Sequence, residues 1–342
     1  MKKHYYLIFC IMILFLMNCK KGVDLSMPTS EQKETGVTNN PYICKYWQCL
    51  KLNSEFEPRE FHSLVVFDNK LWLIGGRDYD LNYFADVWRS DNGIDWKCVT
   101  KNANFGERGN AYLCNFKNKI YLIGGISGTG NFLNDVWMSD NGIDWSLVTG
   151  NANFSPRIAN FINFNNEFYA IGGYTGISFK SEVWKSNDGK NWQLIKNNAS
   201  FGESVFNGVV VFKNKIWAIA GLGKEGASYI YKYDVWSSSN GVDWEFVTKN
   251  SVFSDMSFSN FFVYDKYIYL IKSIYDGSGG GVPYYNEIWR TDDGKNWMPI
   301  NLKPDFSSRH TFSLILFNNK FYLIGGYLGY GYGDSNDIWI SE

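Results

Sequence analysis

Histidine is scarce in this chain. Only His4, His62 and His310 occur in 342 residues. His62 and His310 are far outside metal-ligand spacing, so no metal site and no cofactor is expected. Charge of one sign is lacking as well. Thirty-three Lys and Arg against 34 Asp and Glu leave a formal net charge of −1. No basic field exists to recruit nucleic acid, which excludes that class of partner. Six cysteines in a chain of 342 residues are too few for a disulfide framework. No apolar run is long enough to cross a bilayer comfortably; the longest near the N-terminus is Tyr5 to Met17.

That run follows Lys2 and Lys3 and ends in Leu16-Met17-Asn18-Cys19. A basic start, a short apolar stretch and a polar continuation are the parts of an export signal. The segment resembles a bacterial lipoprotein signal, in which a leucine three residues before a cysteine directs lipidation and cleavage at that cysteine. The resemblance implies removal of residues 1–18 and a lipid on Cys19. The alternative is an ordinary cleaved signal with an incidental cysteine. Residues 19–41 carry Gly, Ser, Thr, Asn and Pro and cannot bury enough apolar surface to order themselves. They read as a tether reaching about 25 Å on random-coil scaling. Residues 42–342 remain as the folded domain. Of its cysteines, Cys44 and Cys49 could close a small loop, but free or buried thiols are the expectation for Cys44, Cys49, Cys98 and Cys114.

Aromatics, by contrast, make up 18% of the sequence, enough for a large buried core. They are ordered by repetition. Leu133-Asn134-Asp135-Val136-Trp137-Met138-Ser139-Asp140-Asn141-Gly142-Ile143-Asp144-Trp145 reads as strand, turn and strand, with Asn141-Gly142 expected to form a type I′ turn. The same pattern recurs around Trp88, Trp184, Trp236 and Trp289, and begins once more at Trp339. In five copies a second Trp follows the first at one constant step: Trp88 and Trp96, Trp137 and Trp145, Trp184 and Trp192, Trp236 and Trp244, Trp289 and Trp297. An Arg position follows each second Trp at another constant step (Arg108, Arg157, Ser204, Met256, Arg309). A glycine position comes next at a nearly constant step, as Gly75 after Arg59, Gly124 after Arg108 and Gly325 after Arg309. Only the stretch from that glycine position to the next Trp varies much in length. It is shortest from Gly172 to Trp184 and longest from Lys272 to Trp289. A period of about 50 residues with variation confined to one loop marks a repeat architecture with a variable face.

Each unit reads as four strands, a to d. In the first, strand a covers His62 to Phe67, strand b Leu71 to Ile74, c surrounds Trp88 and d surrounds Trp96. An Arg and His ahead of an apolar strand, a diglycine after the second strand and an Asp-Val-Trp…Trp hairpin resemble the kelch repeat in six units. The resemblance implies an all-β fold: a six-bladed kelch-type β-propeller, one four-stranded blade per repeat. The last copy stops at Glu342 without its strand d. Tyr46-Trp47-Gln48-Cys49-Leu50 supplies the missing piece at the other end, since Trp47 precedes Arg59 by the same step that separates Trp96 from Arg108. The N-terminal strand is therefore expected to complete the C-terminal blade and close the ring, leaving no open edge.

Repetition also separates scaffold from candidates. Residues present in every unit are expected to be structural: the hairpin tryptophans, Phe56 and its five counterparts at a constant step after a Trp, and the acids Asp86, Asp135, Glu182, Asp234, Glu287 and Asp337 as hydrogen-bond partners of backbone. Arg59, Arg108, Arg157 and Arg309 begin strand a. They either bond carbonyls of the next blade or form a guanidinium ring suited to an acidic ligand. Copies four and five depart from the pattern with Ser204 and Met256 at the Arg position, and with Ala220-Gly221 and Lys272-Ser273 in place of diglycine. Lys272 is accordingly a ligand candidate or simple drift.

The enlarged b–c loops run Gly221 to Tyr233, Ile274 to Asn286 and Tyr327 to Asn336. Tyr229, Tyr231, Tyr275, Tyr284, Tyr285, Tyr327, Tyr330 and Tyr332 lie there among glycines, a composition suited to recognition, since Tyr offers area and a polar tip at small entropy cost. Catalytic signals are thin. Glu107, Glu203 and Asp255, each just before the Arg position, are weak candidates for channel-mouth carboxylates. Some kelch propellers are copper oxidases needing two His and two Tyr at the metal, a set this chain does not readily supply. Others are sialic-acid mutarotases, which need an acid, a base and an Arg. The expectation is a lipid-anchored, monomeric cell-envelope module, periplasmic or surface-facing, that binds a protein or glycan through its loops. The alternatives are a carbohydrate isomerase, mutarotase or lyase, and a structural envelope protein.

Overall fold

The computed structural model describes residues 46–341 other than 227, 255–258, 275–284, 302 and 330–331. Six sheets are present, each an antiparallel blade. The first holds β2 (Ser63–Phe67), β3 (Lys70–Ile74), β4 (Val87–Ser90) and β5 (Lys97–Thr100). The second holds β6 (Arg108–Gly109), β7 (Tyr112–Phe116), β8 (Lys119–Ser127), β9 (Phe132–Ser139) and β10 (Ser146–Thr149), with β6 and β7 sharing the innermost position against β8. β11 (Ile158–Phe164), β12 (Glu167–Tyr174), β13 (Val183–Ser186) and β14 (Gln193–Lys196) form the third. β15 (Ser204–Phe212), β16 (Lys215–Glu225), β17 (Ser228–Ser238) and β18 (Glu245–Lys249) form the fourth, and β19 (Ser259–Tyr264), β20 (Tyr267–Ile274), β21 (Tyr285–Thr291) and β22 (Met298–Asn301) the fifth. The sixth is built from β23 (Ser313–Phe317), β24 (Lys320–Tyr327), β25 (Asp334–Ser341) and, from the other end of the chain, β1 (Trp47–Lys51).

Strand β1 pairs with β25 through Trp47↔Ser341, Gln48↔Ile340 and Cys49↔Trp339. The expected closure is therefore present: the earliest described strand supplies strand d of the last blade. Around the centre, β2 neighbours β7 and β23, and β11, β15 and β19 continue the ring. Blades cover each other on both faces. Strand b consequently reads as an unbroken apolar run, Leu71 to Ile74 being wholly buried, rather than as an alternating one.

Phe56, Phe105, Phe154, Phe201, Phe253 and Phe306 meet Trp96, Trp145, Trp192, Trp244, Trp297 and Trp47 edge-on, with centroids 5.0 to 5.6 Å apart. Each such pair adds about 1 kcal/mol beyond the area it buries. The phenylalanine enters from the connection after one blade and packs on the strand-d tryptophan of the next, so the repeated Phe is an interblade plug.

One expectation is corrected. Asn141-Gly142 is not a type I′ turn. Gly142 has φ +76° but Asn141 is not left-handed. The c–d connection is longer than a two-residue turn, and Asn141 Oδ1 accepts the amides of Ile143 (2.8 Å) and Asp144 (2.9 Å) while Ser139 Oγ accepts that of Gly142. Paired left-handed residues occur instead at the a–b turns: Asp68-Asn69, Lys117-Asn118, Asn165-Asn166, Lys213-Asn214 and Asn318-Asn319. The turn glycine has another duty. A Cβ on Gly142 would lie 2.3 Å from the Trp72 ring of the preceding blade.

Cys49, Cys98 and Cys114 carry free thiols. Cys44, Cys19 and the rest of residues 1–45 lie outside the described residues.

Candidate functional site

The four strand-a arginines are buried inside their own blades. Arg59 is fully buried, with Nη1 and Nη2 donating to Asp86 Oδ1 (2.7 Å) and Oδ2 (2.9 Å). Its Nη1 also donates to the Gly75 carbonyl at 2.9 Å, and Trp88 Nε1 donates to Asp86 Oδ2 at 2.7 Å. Arg108, Arg157 and Arg309 repeat this with Asp135 and Trp137, Glu182 and Trp184, and Asp337 and Trp339. Burial works against the ionised Asp337 carboxyl, yet the Arg309 hydrogen bond and charge outweigh it and hold the carboxyl below its usual range. Two details differ from expectation. The arginines bond carbonyls and acids of their own blade, not the next one. Asp86, Asp135, Glu182 and Asp337 are held by Arg and Trp side chains rather than by backbone. Arg59, Arg108 and Arg309 grip both oxygens of their acid and Arg157 one oxygen of Glu182, and guanidiniums so paired and so deeply buried are struts of their blades.

Copies four and five each bring a lysine to this region in place of the arginine. Lys272, at a position that holds glycine in four units and Ala220 in the fourth copy, is buried and reaches Glu287 Oε2 at 3.1 Å and the Val252 carbonyl at 3.0 Å. In blade four, Lys232 Nζ donates to the Phe201 carbonyl (2.9 Å), the Glu203 carbonyl (3.0 Å) and Ser204 Oγ (2.7 Å). Ser204 occupies the arginine position, so a cation from strand c takes over there. Lys272 is thus engaged within its blade.

The loop tyrosines divide between two seams. The first enlarged loop is an extension of the β16–β17 hairpin, with Leu222 opposite Tyr231 and Lys224 opposite Tyr229. Tyr229 packs edge-on against Phe179 of blade three at 5.7 Å. Tyr231 and Tyr285 are half-buried, and Tyr285 shares a hydrogen bond with Glu287. Tyr327 stacks on Tyr79 of blade one with centroids 6.0 Å apart and rings 5° from parallel. Tyr332 is exposed. Glu107 and Glu203 are exposed. Asp255, Tyr275, Tyr284 and Tyr330 lie outside the described residues.

Sequence reasoning missed a polar cluster where blade six meets blade one. Its signal was present in the repeat columns. At one position ahead of the strand-c Trp stand Tyr83, Phe132, Phe179, Tyr231 and Tyr284, then Asp334. At one position after the first glycine stand Ile126, Tyr174, Leu222, Ile274 and Tyr327, but Arg77 in the first copy. Directly after the Arg position, Glu60 and His310 replace Gly109, Ile158, Val205 and Ser257. The ring closure puts these exceptions side by side. Glu60 Oε1 accepts from Arg77 Nε (2.9 Å) and Nη2 (2.7 Å), and Glu60 Oε2 accepts from Thr311 Oγ1 at 2.8 Å. The Arg77 guanidinium lies 5.0 Å from the Phe61 ring and 5.8 Å from that of Tyr83.

Asp334 faces this pair. Both its carboxyl oxygens are buried without a hydrogen-bond donor among the described residues. Burial, then the charge of Glu60, push its pKa to about 8 against the pull of Arg77, with Asp78 adding to the rise. His62 and His310 are buried as well, both pushed down to about 3, by burial first and then by Arg59 and Arg77 respectively. Neither ring nitrogen of His62 has a partner among the described residues. Phe61, Asn110 and Thr311 all have φ +55°, the left-handed region that non-glycine residues seldom adopt. They and His62, Ser63, Asn260 and Ser313 line a depression of about 320 Å³ at the loop-side mouth of the central channel. Among the described residues no group of three or more His, Cys, Asp or Glu is arranged to hold a metal.

Among known families, residues 108–138, from the strut arginine of blade two almost to the end of its strand c, match the model described as the Kelch motif. No curated protein matches the chain. The six closed blades and that motif together make the fold a six-bladed kelch-type β-propeller.

Proposed function

We propose that the chain is a lipid-anchored cell-envelope module that binds a protein or glycan on the face formed by its b–c and d–a loops. A kelch propeller is in general a protein-binding scaffold. The observation that carries the reading is where the chain departs from its own repeat. Glu60, Arg77, His310 and Asp334 all lie on this face, at one seam, while repeated positions are spent on struts and plugs. Exposed Tyr79, Leu81, Ile177 and Tyr332 stand on b–c loops of the same face. Aromatic and aliphatic rim residues around a polar centre are the anatomy of a recognition surface. The signal at residues 1–18, the lipid on Cys19 and the tether to residue 41 supply the envelope location, periplasmic or surface-facing, and the propeller acts as a monomer.

The test is a screen of the purified protein against glycans and envelope proteins, repeated with Tyr79→Ala and Tyr332→Ala, and with Tyr284→Ala, Tyr285→Ala and Tyr330→Ala. Loss of a detected interaction in either set supports the reading, and full retention in both removes it. Cys19→Ser, followed by release from the membrane fraction, tests the anchor.

A second reading has one observation in its favour. A carboxyl that keeps its proton to about pH 8, beside Glu60 and Arg77, is equipped as a general acid for a sugar isomerase, mutarotase or lyase. Incubation with free sugars and sugar acids, followed by NMR of the anomeric protons, decides it. Unchanged anomer exchange rates in every case end the enzyme reading.

A further inference from the structure

We propose that the b–c loop of blade one, Asp78 to Asn82, is the docking point for a protein segment that carries an apolar side chain next to Lys or Arg. This deepens the binding reading and rests on it.

Blade two supplies the control. Its loop Ser127-Gly128-Thr129-Gly130-Asn131 has the length and the hydrogen bonds of Asp78-Tyr79-Asp80-Leu81-Asn82. The amide of the first residue donates to the carbonyl of the fifth, Asp78 to Asn82 at 3.0 Å and Ser127 to Asn131 at 2.9 Å. The amide of the fourth donates to the carbonyl of the first, Leu81 to Asp78 at 3.0 Å and Gly130 to Ser127 at 2.6 Å. The first side chain accepts the fifth amide, Asp78 Oδ1 from Asn82 at 2.8 Å and Ser127 Oγ from Asn131 at 3.0 Å. One loop is built twice. Its fold requires neither Tyr79 nor Leu81, since blade two forms it with glycine at both places.

Leu81 is worse than unneeded. Its φ is +67°, where Gly130 has +80°. That left-handed region is open to glycine and costly for a bulky side chain. No burial compensates for the strain: Leu81 is 55% exposed and Tyr79 48%. An apolar residue that strains its backbone and stands in water is explained by what it meets outside the chain. Tyr79 is held by its stack on Tyr327, the first residue of the blade-six loop on which exposed Tyr332 stands.

Charge selects the partner. Asp78 and Asp80 stand where blade two has Ser127 and Thr129. Asp80 is exposed and Asp78 half-buried, and neither forms a salt bridge among the described residues. Arg77, directly before the loop, is engaged by Glu60. Two carboxylates without a cation, set beside an apolar pair, repel anionic lipid and acidic chains and attract a Lys or Arg that follows an apolar anchor. A leucine has nothing with which to hydrogen-bond a sugar hydroxyl, whereas leucine and tyrosine together form the surface on which an apolar side chain of a peptide is buried.

The experiment selects a displayed library of random peptides on the purified full chain, then measures the enriched peptides as labelled synthetic chains by fluorescence anisotropy. The expected result is enrichment of peptides with Leu, Ile, Phe or Trp next to Lys or Arg, with binding that weakens as salt is raised. Asp80→Lys and Leu81→Gly should each reduce affinity about tenfold. Leu81→Gly gives the loop the residue of blade two, so its thermal midpoint should match or exceed that of the parent while its binding falls. A leucine present for packing would show the reverse, and a lowered midpoint with binding retained overturns the proposal. Enrichment of acidic or uncharged peptides, no enrichment at all, or affinity that neither substitution changes overturns it as well. Where a glycan or envelope protein binds in a manner sensitive to Tyr284→Ala, Tyr285→Ala or Tyr330→Ala and no basic peptide does, the recognition face stands and this inference alone falls.

Discussion

Lys272 Nζ lies 3.1 Å from Glu287 Oε2, where four other blades place a strand-a guanidinium against the same acid. The contact survives although the residue that makes it has moved from strand a to strand b. Both side chains are largely buried, with 8% and 12% exposed. Lys272→Met should therefore leave an uncompensated carboxylate and cost roughly 3 kcal/mol. Lys272→Gly combined with Met256→Arg restores the residue types of the other units and should recover most of the loss. Urea unfolding midpoints of the three proteins check both statements. An unchanged midpoint in Lys272→Met would show that the pair carries nothing.

Asp334 predicts an alkaline weakness. The folded chain keeps this proton to about pH 8, against an ordinary 3.8. Between those values the native state binds more protons than the unfolded state, so stability falls as pH rises through the window. Asp334→Asn should flatten the stability profile between about pH 4 and 8 and be the more stable protein above it. Thermal midpoints taken each half unit across that range give the answer; parallel profiles would mean the carboxyl ionises freely in the fold.

His62 and His310 predict the opposite limb. Their folded values near 3 lie below the ordinary 6.5. The native state excludes protons that the unfolded chain accepts, so the stability is complete above about pH 6.5 and is lost as pH falls toward 3. Each group contributes at most about 1.4 kcal/mol per pH unit. His62→Phe and His310→Phe should each make the acid limb shallower, and an acid limb as steep as in the parent protein would contradict this.

Strand β1 predicts a topological dependence. Trp47 packs on Phe306, and its amide donates to Asp305 Oδ2 at 3.1 Å. Removing residues 42–50 exposes the edge of β25 and opens the ring, so the product should aggregate or unfold. Size-exclusion chromatography and circular dichroism test it. A monomer of parental stability would show that the ring holds without its closing strand.

Much of this was legible in one dimension because the repeat is one-dimensional. Equal intervals between Trp88 and Trp96, or Trp96 and Arg108, report equal blades, and the same step from Trp47 to Arg59 reports the closure. Partner choice was not legible. Arg59 finds Asp86 well along the chain, beyond the whole of strand b, and no spacing distinguishes that acid from a carbonyl of the next blade. Nor does sequence tell that Lys272 and Lys232 replace the missing arginines. The Asn141-Gly142 reading failed because turn type depends on loop length and on side-chain bonds, here those of Asn141 and Ser139. Asp334 stood in the open: its column held aromatics in every other copy. What the column could not give was its neighbour, since Glu60 lies at the far end of the chain and only the closed ring brings them together.

The closing strand has a directional consequence. Trp47 pairs with Ser341 at the end of the blade that carries the short a–b and c–d turns, while Gly326 and Tyr327 mark the other end of the same sheet, from which the b–c loops rise. The chain thus enters the disc from beneath. An attachment ahead of Trp47, were the chain tethered there, would hold the disc by its underside and leave the seam of Glu60, Arg77 and Asp334 facing outward like the upper surface of a table.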